Sequence, residues 1–205
     1  MVPLITKPLV IIGNTGVGKT SVAEALSVMR EIPIVDTDNV FENIHGQTIN
    51  QFFDKHKEED FRRGEATSID QTFRAYTGQR VIIPIGAGAP AHKYSEIRER
   101  NIHLLRKGGY VVYLLVSPDH KIAADIIYQR FLDNPGELAK RPLLNNNTSN
   151  PHEKLLQMLK ERHPFYERAM HERLVIGNMS LDQVANQLGK LYCGLNVNAN
   201  SVQLV

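Results

Sequence analysis

The chain has 205 residues, 42% hydrophobic and 22% charged, enough to bury the core of one α/β domain without disulfides or metal staples. A net charge of +2 gives no general attraction to nucleic acid or to a membrane surface, so any working positive charge has to be local. Cys193 is the single cysteine, which excludes an internal disulfide and cysteine zinc sites, and the eight histidines fall in no metal-ligand spacing.

Met1–Pro8 leads into the apolar run Leu9–Ile12, too short for a signal sequence or a membrane span, so a buried first strand in a cytoplasmic protein is expected. A helix follows over Lys19–Arg30, with Val22, Ala23, Leu26 and Met29 on one face. Ile32–Val35 reads as a second buried strand. Asp60–Tyr76 spaces Phe61, Ala66, Ile69, Phe73 and Tyr76 as a helix does. Val81–Ile85 is a strand, Lys93–Arg106 a helix carrying Ile97, Ile102 and Leu105, and Tyr110–Val116 another strand. Asp133–Pro151 breaks the pattern with Asn-Pro-Gly, Arg-Pro and the polar run Asn145–Asn150, and a long loop in a compact domain is either disordered or functional. His152–Met170 is helical, Leu174–Ile176 a short fifth strand, and Leu181–Tyr192 the last helix, before an Asn-rich tail over 193–205 that is expected to be flexible. Strands alternating with helices imply α/β architecture, a parallel sheet of about five strands with helices on both faces.

Gly13-Asn14-Thr15-Gly16-Val17-Gly18-Lys19-Thr20 matches the phosphate-loop pattern and lies where that pattern requires, after a strand and at the start of a helix. The glycines let the backbone curl until several N–H groups face one point, and the helix N-terminus adds partial positive charge. Lys19 can reach β- and γ-phosphates, and Thr20 can place its hydroxyl on Mg²⁺, so ATP and Mg²⁺ are expected ligands. The fold is thereby a P-loop NTPase, three layers α/β/α. The bland alternative is a glycine-rich turn that binds nothing.

In a right-handed βαβ unit the strand ending in Asp36-Thr37-Asp38 opens at the same sheet edge as the phosphate loop. Two carboxylates two residues apart in an extended segment face one side, which makes Asp36 a candidate for the Mg²⁺ shell and Asp38 a candidate for binding or deprotonating an acceptor hydroxyl. A helix N-cap role for Asp38 or Asn39 is the competing reading. Gly86-Ala87-Gly88 ends the third strand and offers bare backbone to a ligand. Arg62, with Glu65 three residues on, suits bidentate capture of a carboxylate, against the alternative of a solvated ion pair.

These pieces, in order with Gly46-Gln-Thr-Ile-Asn-Gln-Phe-Phe, Phe61-Arg62-Arg63-Gly-Glu65, Val111–Pro118, Arg141-Pro-Leu-Leu144 and Glu161-Arg162-His-Pro-Phe-Tyr166, resemble the shikimate kinase family from about Leu9 to Leu191. The resemblance implies one kinase domain over residues 1–192 that transfers the γ-phosphate of ATP to a hydroxyl of shikimate. It implies that Asp38, Arg62, Arg162 and the Gly86–Gly88 turn bind the acid, and that Arg141 reaches the ATP phosphates from a mobile lid over about 130–151. A small-molecule acceptor, no nucleic acid, no membrane and a monomer complete that expectation. Three features depart from the family pattern: Ala87 stands where the middle of three glycines is usual, Pro84 where a small hydroxyl residue is usual near Mg²⁺, and the lid is longer than usual by Phe131–Lys140 and Asn145–Asn150. If position 87 requires positive φ, alanine is strained there by about 1 kcal/mol. These departures keep two alternatives open, a related kinase with another small hydroxylated acid and a module that binds shikimate without turning it over.

Overall fold

Hydrophobic alternation along the strands builds the layers. The computed structural model describes residues 7–136 and 150–198. Strands β1 (Leu9–Ile12), β2 (Ile82–Pro84), β3 (Tyr110–Leu115) and β4 (Glu172–Val175) form one parallel sheet in the order β2-β1-β3-β4. The described helices are α1 (Lys19–Arg30), α2 (Thr37–His45), α3 (Ile49–Lys55), α4 (Glu58–Ala75), α5 (Ser95–Gly108), α6 (His120–Asp133), α7 (Pro151–Ala169) and α8 (Leu181–Asn198).

Leu9, Ile11, Ile82, Val112 and Leu114 project to one face, where they meet Leu26 of α1, Ile127 of α6, Leu159 of α7 and Leu188 of α8. Val10, Ile12, Ile83, Val111 and Tyr113 project to the other, against Ile69 and Phe73 of α4, Leu105 of α5 and the Tyr166–Ala169 end of α7. Period-two alternation therefore feeds both cores from the same strands. A smaller aromatic cluster of Phe41, Phe52 and Phe61 ties α2, α3 and α4 into a cap beside the sheet.

The expected strand Ile32–Val35 is reduced to a single bridge, Ile34 to Ile82. Val35 N–H donates to Ile82 O and Ile82 N–H to Pro33 O, each at 2.9 Å. The next rung of a parallel ladder needs an N–H at position 84, and Pro84 has none, so pairing stops there. Among the described residues the sheet thus has four strands rather than about five.

Three helices were not expected from periodicity, and local capping accounts for each. Asp36, at φ −90° and ψ 118°, caps α2, so Asp38 sits in a helical first turn and not in an extended run. Thr48 and Gln51 form a reciprocal capping box on α3, with bonds of 3.2 and 2.9 Å. Asp119 caps α6 by accepting Lys121 N–H at 2.7 Å and Ile122 N–H at 3.2 Å. The last helix runs to Asn198, past its expected end at Tyr192. Residues 137–149, with Arg141 and most of the expected lid, lie outside the described residues, as do 199–205 of the expected tail. Among the described residues no helix is long and apolar enough to cross a membrane.

Restoring a donor at position 84 should extend the edge pairing. In a Pro84→Val variant the position-84 amide is expected to exchange slowly by hydrogen–deuterium exchange, bonded to Val35 O; rapid exchange there would show that something other than the missing N–H ends the ladder.

Candidate active site

β1 opens straight into the phosphate loop, and α1 begins at Lys19. Gly16 holds φ +76°, and a Cβ there would lie 2.6 Å from both Ile127 Cγ2 and Phe131 Cζ, so α6 packs on the loop where only glycine fits. Gly18 caps α1 in left-handed conformation at φ 94°, without a side-chain acceptor for the first helical N–H groups. The positive end of the helix dipole at this turn attracts an anion. Lys19 Nζ lies across the loop, 2.9 Å from Gly13 O and 3.0 Å from Asn14 O. The buried Asn14 accepts Thr15 N–H through Oδ1 at 2.9 Å and stiffens the turn.

The loop borders a cavity of about 1000 Å³ that also takes in Asp36, Asp38, Pro84, Gly86 and Ala87. Arg130, Phe131, Asn134, Ile176, Met179, Leu181 and Val184 add a further wall, mostly apolar with one cation and one amide. Sequence reasoning missed this wall, because its residues come from α6, α8 and the β4–α8 connection and share no local pattern.

Asp36 uses Oδ1 to accept Asp38 N–H at 2.8 Å, so the N-cap role falls to Asp36 and not to Asp38 or Asn39. Asp38 is left with its carboxylate facing the crevice. Although that carboxylate is open to the crevice, the surrounding protein desolvates it, and this is the largest cause of a pKa raised to about 6. Asp36 and Glu42 push in the same direction, while Lys19 and Arg62 pull back.

Arg62 is held from several sides. Its Nη1 donates to Glu65 Oε2 at 3.0 Å, with both side chains about nine-tenths buried at 11% and 9% exposure, so this is not a solvated pair. Its guanidinium carbon stands 5.0 Å from the Phe61 ring centre. Gly88 lies so close that a Cβ would be 2.6 Å from Nη1 and 2.7 Å from Nη2. Burial raises the Glu65 pKa to about 7 even though Arg62 opposes it. Glu65 Oε1 in turn approaches within 3.3 Å of the place a Cβ would take at Gly86.

The Gly86–Gly88 turn is anchored from α7. Tyr166, fully buried, donates its hydroxyl to Ala87 O at 2.7 Å. Arg162 lies one helical turn before Tyr166, and its charge acts on that tyrosine and on Glu65. The strain expected of Ala87 does not arise, because Glu31 is the only non-glycine residue at positive φ among those described. Lys19, Thr20, Asp36, Asp38, Gly86 and Ala87 are thus brought to one cavity, with Arg62, Gly88 and Arg162 grouped beside it. Tyr166 lay inside a motif but had no role assigned from sequence.

The family model for shikimate kinase matches residues 15–192. A shikimate kinase of Thermoanaerobacter pseudethanolicus is 32% identical over 189 residues, covering 92% of this chain and 98% of the relative. One from Symbiobacterium thermophilum is 32% identical over 180 residues, covering 88% and 92%. Among solved structures, shikimate kinase from Acinetobacter baumannii in complex with shikimate superposes with a TM-score of 0.71 at 24% identity, covering 98% of this chain and 97% of that one. A gluconokinase from Sinorhizobium meliloti shares the fold more loosely, with a TM-score of 0.55 at 16% identity over 98% and 99% of the two chains.

Two outcomes are expected at this site. Gly88→Ala forces a methyl onto the Arg62 guanidinium, so the acceptor KM should rise by about tenfold or more while the ATP KM holds; an unchanged acceptor KM would detach Arg62 from acceptor binding. The acceptor kcat/KM should rise with pH through about 6, because Asp38 is protonated, and unable to accept a proton, below its raised pKa. Glu65→Gln, which fixes that group neutral, should leave this limb near pH 6; a limb that disappears with Glu65 would reassign it.

Proposed function

This chain belongs to the shikimate kinase family, and we propose that its own residues transfer the γ-phosphate of ATP to a hydroxyl of shikimate. As a member of that family it is an ATP-dependent kinase using Mg²⁺, in aromatic amino-acid biosynthesis. The observation that carries the proposal is the meeting, at one sheet edge, of a phosphate loop, a desolvated carboxylate and a buried arginine clamp.

The loop amides and Lys19 hold the phosphates, with Lys19 exchanging its bonds to Gly13 and Asn14 carbonyls for phosphate oxygens. Thr20 and Asp36 both border the cavity and offer hard oxygen ligands, a donor set that fits Mg²⁺. When bound there the ion neutralises phosphate charge as the phosphoryl group moves. The apolar wall of Ile176, Met179 and Leu181 suits the flat face of the nucleobase.

On the acceptor side, Arg62 and Arg162 hold the carboxylate, and the Gly86–Gly88 turn admits the ring close to backbone. Asp38 orients the hydroxyl and takes its proton, a task matched to a carboxylate whose pKa is raised to about 6. A loosely bonded phosphoryl transition state asks for positioning and charge more than for a strong base, so orientation by Asp38 is its larger part. Arg141, outside the described residues, is assigned to the phosphate oxygens by its motif alone. The absence of strain at Ala87 removes one reason to look for a different acceptor. A cytoplasmic monomer belongs to the same proposal; it draws on the balanced charge and the lone Cys193, and size-exclusion chromatography measures the monomer.

The test is coupled ADP release from Mg-ATP with and without shikimate, with Lys19→Ala as blank. Shikimate-dependent turnover of about 1–100 s⁻¹, the usual kinase range, is expected. ADP release that ignores shikimate would overturn the proposal.

A further inference from the structure

Gly88 and Lys93 both reach the surroundings of Arg62, and a side chain between them in sequence has no task in the chemistry above. Gly88 presses on the guanidinium, as described. Lys93 Nζ bonds Glu58 Oε2 at 3.1 Å, and Glu58 Oε1 stands 3.7 Å from Arg62 Nη2. Between them lies His92, only 6% exposed. Both of its ring nitrogens are buried without a hydrogen-bond partner among the described residues, and so is Arg62 Nε. Buried polar atoms left unpaired cost free energy unless a partner arrives; Arg62 Nε is a donor, a neutral His92 ring carries one more, and the Arg62 charge acts on that ring, so an acceptor is missing in this neighbourhood.

His92 is held in place through its backbone. Its carbonyl accepts Arg98 Nη1 at 2.8 Å, and the Arg98 guanidinium carbon stands 4.1 Å from the Phe165 ring centre on α7. Desolvation first, then Arg62, Arg98 and Arg162, hold the ring well below its ordinary pKa, at about 4, with Glu58 opposing. The imidazole is therefore neutral at pH 7 and carries one N–H donor. A neutral donor can join an arginine clamp without adding to the mutual repulsion of its cations.

We propose that His92 is a third donor to the acceptor's carboxylate, beside Arg62 and Arg162, and a specificity-determining residue for a carboxylated acceptor. The inference rests on the proposed shikimate kinase reading. His92 lies outside the motifs that carry the family resemblance, on the segment that follows Gly86–Gly88.

The test compares native protein, His92→Phe and His92→Gln with shikimate and with shikimate carboxamide, which lacks the charge. Failure of the native protein to turn over shikimate sinks the functional reading itself. With native turnover established, His92→Phe is expected to raise the shikimate KM about tenfold, the size of one lost donor, with kcat within about twofold and the ATP KM unchanged. The penalty should shrink against the carboxamide, and His92→Gln should recover most of the loss. An equal penalty against both acceptors, or an unchanged KM with a lowered melting temperature, would overturn the proposal and leave His92 a packing residue satisfied by buried water. Should His92→Phe not fold, ¹⁵N NMR of the His92 ring in the native protein decides: a shift on adding shikimate supports the contact, and an unmoved resonance overturns it.

Discussion

β1 pairs in parallel with both β2 and β3, and this one arrangement sets where everything else can happen. Parallel pairing sends the chain out of β1, out of β2 and out of the 32–35 segment at the same edge of the sheet. The phosphate loop, the Gly86–Gly88 turn and the Asp36–Asp38 cap therefore face one another across a cavity of about 1000 Å³, although some 70 residues of chain separate the first from the second. An antiparallel β2 would have put the glycine turn at the opposite end. The two cores on either face of the sheet are what hold β1 in that central position.

Around that edge the electrostatics are arranged in opposition. Positive charge from Lys19, Arg62 and Arg162 is gathered where two anionic substrates must meet, and carboxylates are placed among it at Asp36, Asp38 and Glu65. Burial works against the charged form of Asp38 and of Glu65, while the cations work for it, and the balance leaves them at about 6 and about 7. Asp38 so poised sits near neutrality, while Glu65 is committed to Arg62. The buried pair between Arg62 and Glu65 adds geometry: a guanidinium pinned by Glu65, flanked by Phe61 and backed by Gly88 has little freedom left to lose when a substrate carboxylate arrives.

The second anchor comes from α7. Tyr166 belongs to the core that α4 and α5 cover, and from there it reaches Ala87 O. It also stacks on Tyr113 of β3 at 5.0 Å between ring centres. The Gly86–Gly88 turn is thus tied to the same helix that carries Arg162. Movement of α7 would shift Arg162 and the backbone turn together.

By itself the sequence determined the phosphate loop, the strands β1 to β4 to within a few residues, the helices of strong apolar period, and the identity of Asp38, Arg62 and the Gly86–Gly88 turn as site candidates. These are local signals, carried by period, glycine and charge within a dozen residues. α2 and α3 escaped because they are short and α6 because its apolar residues are spread round it, and each begins at a side-chain cap, Asp36, Thr48 and Asp119. Only the tertiary structure decided that the 32–35 segment stops at one bridge, since that depends on Pro84 facing it across the edge. It alone decided that Tyr166 holds Ala87, and that His92 is buried within reach of the Arg62 charge with its nitrogens unpaired. Each of these is a contact or a missing contact between distant segments, and burial, which sets its energy, exists only once the layers have closed.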